Sequence, residues 1–127
     1  MPKTAYTAWR ADDFPKRQRE IISVRWSPKR LCIEVAEAWN RPPSLAIGFQ
    51  FPRAYQGIDE GYRLRDIPIG EALIYHAGSS DYLTAFLENS AHTMDNIGIL
   101  HWLIISANQC VDVLSESEPV VTQFDQT

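Results

Sequence analysis

The chain has 127 residues, 45% of them apolar and 22% charged, with a net charge of −4. That length and balance suit one globular unit with a core of its own, and they exclude a fibrous or low-complexity protein. No apolar run approaches the ~20 residues that a membrane-spanning helix needs. The charge is divided unevenly. Residues 1–30 carry eight Lys/Arg against three Asp/Glu, whereas residues 31–127 carry four against thirteen. A basic leader therefore precedes an acidic body, which is attracted to basic partners and repels nucleic acid.

In chain order, residues 1–20 show no sustained period and are broken by Pro2 and Pro15. They read as an irregular leader with one helical turn near Ala11–Phe14, held to the body by Tyr6, Trp9 and Phe14. Ile22, Val24 and Trp26 then alternate with Ser23 and Arg25. After Ser27-Pro28-Lys29, Leu31, Ile33 and Val35 alternate with Cys32 and Glu34. This spacing predicts a β-hairpin with one apolar face. Leu45, Ile47, Phe49 and Phe51 predict a third strand that stops at Pro52, since proline has no N–H for a ladder.

Residues 57–71 are punctuated by Gly57, Gly61, Pro68 and Gly70 and read as irregular, with up to two helical turns over Ile58–Arg65. Leu73–His76 reads as a short strand. Gly78-Ser79-Ser80 opens a helix near residues 80–90, with Ser79 or Ser80 as N-cap and Asp81 in the first turn. Tyr82, Leu83, Phe86 and Leu87 share one face of that helix. Ile99–Ile105 and Val111–Leu114 form a second hairpin across Ala107-Asn108-Gln109. Residues 117–127 read as a flexible tail. The expected architecture is α+β: one domain over 21–116, with five or six mostly antiparallel strands and one main helix.

Motifs for catalysis are sparse. The three histidines, His76, His92 and His101, lack the spacing of a metal site, so no metal or cofactor is expected. His76 lies five residues before Asp81, which offers either a general base held across the strand-to-helix turn or a satisfied loop histidine. His101, in an apolar strand, reads as facing a polar surface or a buried partner. Gly78-Ser79-Ser80 has the outline of a nucleophile elbow, but Gly-x-Ser-x-Gly and a parallel sheet are both missing, and helix capping explains these serines. Cys32 and Cys110 sit in apolar strands and read as buried free thiols. The N-terminus lacks the apolar stretch of a secretory signal, which sets a cytoplasmic expectation.

The stretch Tyr55, Asp59, Glu60, Tyr62 and Glu71 combines carboxylates with aromatic rings. Aromatics anchor interfaces and charges steer encounter, so these five are the candidate partner-binding residues.

The segments Asp59-Glu60-Gly61-Tyr62-Arg63-Leu64-Arg65, Ser80-Asp81-Tyr82-Leu83 with Phe86, His101-Trp102-Leu103-Ile104-Ile105 and Cys110-Val111-Asp112-Val113-Leu114-Ser115 follow one another along the chain. Over residues 44–115 the chain resembles small bacterial immunity proteins associated with polymorphic toxins. The resemblance implies a non-enzymatic, cytoplasmic protein that binds one cognate toxin, a basic one given the acidic body, and blocks it. The alternatives are a small enzyme using His76 with Asp81, and a subunit that assembles by laying its basic leader on the acidic body of another copy. The oligomeric state is left open.

Overall fold

Two runs of alternating apolar residues dictate most of the architecture, because each buries one face of a sheet. The computed structural model describes residues 4–14, 19–38, 40–59, 72–89, 98–107 and 109–124, and at 58 and 59 only the backbone. The fold is α+β: one helix and two antiparallel sheets, one of five strands and one of four. The four-stranded sheet has the order β2-β3-β4-β9, made of Glu20–Ser27, Arg30–Ala36, Pro43–Gln50 and Val120–Gln123. The five-stranded sheet has the order β1-β6-β7-β8-β5, made of Thr7–Ala8, Ile74–Ala77, Leu100–Ile105, Gln109–Ser115 and Ala54–Asp59. Helix α1 spans Asp81–Asn89.

The core lies between the sheets. Leu31, Ile33, Val35, Ile47 and Phe49 on one side meet Ile74, Trp102, Ile104, Val111 and Val113 on the other, and all are buried. Successive strand residues point to opposite faces. The residues alternating with Trp102, Ile104, Val111 and Val113 therefore form the outer face of the five-stranded sheet. Register pairs His101 with Leu114, Leu103 with Asp112 and Ile105 with Cys110 on that outer face. Helix α1 packs there, its Leu83 clustering with Ile99 and Leu114 and with its own Tyr82, Phe86 and Leu87. This is the apolar arc that the helix sequence presents. The outer face is thus buried too, which explains why β7 and β8 are apolar almost throughout.

Both predicted hairpins form, with differences in detail. A bulge between Ile21 and Ser23 turns Ile21 into the core, fully buried, and leaves Ile22 half-buried. Phe51 lies outside the third strand. Its φ is 49°, in the left-handed region that bulky residues avoid, and its side chain is 66% exposed. It marks where the chain leaves one sheet for the other.

Three strands appear where the sequence reads as irregular. Ala54–Asp59 is β5, the outer strand beside β8, so Ile58 and Asp59 continue a strand and start no helical turn. Val120–Gln123, read as tail, pairs with β4. Thr7–Ala8, read as leader, pairs with β6, and Phe14 reaches the core. The expected turn near Ala11–Phe14 is present, with the Asp13 and Phe14 N–H groups donating to the Arg10 carbonyl. All three strands lie at sheet edges, where one side of the ladder is unpaired and strong alternation is not required. They raise the count to nine strands among the described residues, against the five or six expected. Neither Cys32, half-buried, nor Cys110, buried, is joined in a disulfide.

Candidate functional site

The outer face of the five-stranded sheet is apolar except for a line of polar side chains. Asp112 is fully buried in β8, and His101, 1% exposed, lies diagonally across in β7. His101 Nε2 is 2.6 Å from Asp112 Oδ1, and His101 Nδ1 is 2.7 Å from Ser80 Oγ. Gln56, opposite Asp112 in β5, donates from Nε2 to Asp112 Oδ2 at 3.1 Å. The Ser80 hydroxyl also accepts the Leu83 N–H at 3.0 Å, the bond of an N-cap. One unbroken chain of hydrogen bonds therefore runs from β5 through β8 and β7 to the start of α1.

The direction of these bonds follows from donor inventories. A carboxylate only accepts, so Nε2 carries the proton and donates to Asp112. In the neutral ring Nδ1 then accepts. Ser80 takes the Leu83 N–H and gives its own proton to Nδ1. No buried side-chain polar atom along this path is left without a partner, as burial requires. The resulting arrangement is a hydroxyl, a base and an orienting carboxylate in sequence.

Two tyrosines flank the ring. Tyr6 and Tyr82 both meet His101 edge-on, with ring centroids 5.6 and 5.4 Å away. Burial, and after it the Asp112 carboxylate, push the Tyr82 hydroxyl up from its ordinary 10 to about 12. The folded state thus keeps a proton that the unfolded chain gives up. Stability from this group is complete below pH 10 and is lost as the pH rises towards about 12. Urea midpoints measured across that window should fall more steeply for the native chain than for Tyr82→Phe. Parallel curves would show that neither burial nor the Asp112 carboxylate holds the proton on Tyr82.

The residues singled out from sequence are placed differently. His76 meets Trp102 at a tilt, with ring centroids 5.2 Å apart, and among the described contacts no hydrogen bond or ion pair joins it to Asp81. Trp102 belongs to the inter-sheet core while α1 covers the other face, so the sheet separates that pair. Of the partner-binding candidates, Tyr55 is 39% exposed in β5 and stacks on Trp26, itself 42% exposed in β2, with centroids 5.1 Å apart. Asp59 pairs with Gln109 through its backbone at the end of β5. Glu60, Tyr62 and Glu71 lie outside the described residues. Next to the two rings in sequence the charge is mixed. Arg25 meets Glu34 at 3.3 Å and Arg53 meets Glu116 at 2.6 Å.

The pairing of His101 with Asp112 was not foreseen, although one signal for it exists. Each is a lone polar residue in an apolar strand, and the register of β7 on β8 puts both on the same face. Among the described residues no group of three or more His, Cys, Asp or Glu is placed to hold a metal ion. Comparison with protein-family models, curated proteins and solved structures found no match.

Proposed function

We propose that this chain is an immunity-type binding protein, which occludes a cognate bacterial toxin in the cytoplasm by contact rather than by turnover. The observation that carries the reading is the stacked Trp26–Tyr55 pair. It lies between β2 and β5, the outer strands of their two sheets, with about two-fifths of each ring open to solvent. Large aromatics held rigidly by a neighbour make good anchors, because little side-chain entropy is lost when a partner covers them. In sequence Tyr55 is followed by Asp59 and Glu60, within the acidic residues 31–127. A basic toxin cleft would be drawn to those carboxylates and held by the rings.

The test begins with capture of partners from the source cells on the immobilised protein, with elution by salt. The captured protein should arrest growth when expressed alone and be silenced by co-expression. Trp26→Ala with Tyr55→Ala should weaken binding by at least about 30-fold, as loss of two anchors implies. Asp59→Lys with Glu60→Lys should weaken it and flatten its salt dependence. Melting curves for each variant separate lost contact from lost fold. Full protection by folded forms of both double variants would remove the proposed surface. The absence of any toxin silenced by this chain would remove the function.

A further inference from the structure

We propose that Ser80 is an activated nucleophile that accepts an acyl group from a short-chain carboxylic ester. Helix capping accounts for the Leu83 N–H bond to Ser80 Oγ. It does not require a histidine on the same oxygen, nor a fully buried carboxylate behind that histidine. Those two additions, at 2.7 and 2.6 Å, build the hydroxyl–base–carboxylate series that generates serine nucleophiles. The ring is reversed relative to the usual serine hydrolase, with Nδ1 on the hydroxyl and Nε2 on the carboxylate. Either nitrogen can take a proton, so the chemistry is unchanged.

The surroundings suit the reaction. Ser80 is half-buried, whereas Gly78, Ser79 and Asp81 around it are exposed. A Cβ added at Gly78 would meet nothing within 4 Å, so the turn is open on that side. The N–H groups that start a helix have no partner within the helix, and those of Asp81 and Tyr82 follow directly on the serine. They are the donors available to a developing oxyanion. The exposed Asp81 carboxylate disfavours anionic substrates, which points to esters of uncharged or cationic alcohols.

In the step proposed, Ser80 Oγ bonds to the ester carbonyl carbon and its proton passes to His101 Nδ1. The carbonyl electron pair moves onto oxygen. Collapse of that intermediate breaks the bond to the alcohol oxygen, which leaves with the proton from His101. Ser80 then carries the acyl group. Water then bonds to the acyl carbon and gives its proton to the same nitrogen; the bond from that carbon to Ser80 Oγ breaks, Oγ takes the proton back from His101, and the carboxylic acid leaves. Asp112 acts through His101 as a positioning residue. The tyrosine rings on either side hold the imidazole between them.

The test incubates the full chain with p-nitrophenyl acetate, follows p-nitrophenolate release and maps the acetyl group by peptide mass. The expected result is a stoichiometric burst with the acetyl group on Ser80 in the native protein and none on Ser80 in urea. Ser80→Asn, which still caps the helix, should abolish the burst. His101→Gln should slow Ser80 acetylation by about 100-fold or more. A native protein unmodified at Ser80, or one acetylated there equally fast when unfolded or in folded His101→Gln, would overturn the proposal. If His101→Gln does not fold, the comparison of native and urea-treated wild type still decides. Toxin protection that survives in Ser80→Asn would separate this activity from the binding role.

Discussion

His101→Ala is expected to lower stability by about 3–5 kcal/mol, the range for leaving a buried charge without its partner. Asp112 is fully buried, and its Oδ1 receives the imidazole N–H at 2.6 Å. Without the ring the carboxylate stays in an apolar layer of Leu103, Cys110 and Leu114, with Gln56 still bonded to its other oxygen. The void between Tyr6 and Tyr82 adds to the cost. For a chain of this length the loss corresponds to roughly 10–20 °C in Tm. Asp112→Ala should cost less, about 1–3 kcal/mol, because it orphans a neutral donor rather than a charge. Adding Asp112→Val to His101→Ala should recover part of the loss, since the buried carboxylate that lost its imidazole is then gone. Additive losses in this double-mutant cycle would mean that the two side chains are not energetically coupled.

The second large effect is expected at Trp102, where truncation to Ala should cost about 3–5 kcal/mol. It is among the largest fully buried side chains and lies where three parts of the fold converge. Phe49 reaches it from the opposite sheet, His76 from the neighbouring strand, and Trp9 from the N-terminal segment. Trp9 in turn stacks on Phe14 at 6.0 Å, and the Arg10 guanidinium lies over both rings. Loss of Trp102 should therefore loosen residues 4–14 as well as the core. Cleavage at Arg10 by trypsin should accelerate before global unfolding. Trp102→Phe should be much milder, because the indole N–H is buried with no hydrogen-bond partner and its removal offsets part of the lost packing. Comparable losses for Phe and Ala, or an unchanged rate of cleavage at Arg10 in Trp102→Ala, would contradict this account of the core.

Local pattern determined the α+β class, both long hairpins and the helix with its cap. These elements bury a whole face, so apolar spacing must match the period of the strand or helix. Ser80 could be read as a cap for the same reason: capping involves only neighbouring residues. The edge strands at Thr7–Ala8, Ala54–Asp59 and Val120–Gln123 were beyond such a reading. They exist because a longer strand offers its open ladder, and nothing in a short polar segment announces that neighbour. The bulge at Ile21 likewise depends on how β2 must bend over its partner. The polar chain was the least legible of all. Gln56, Ser80, His101 and Asp112 come from four separate elements, each unremarkable alone. Only the register of β5 on β8 and of β8 on β7, with α1 laid across the outer face, brings them within hydrogen-bond reach. Periodicity decides which residues leave water. Pairing across the chain decides which buried groups meet, and there the chemistry of this protein is set.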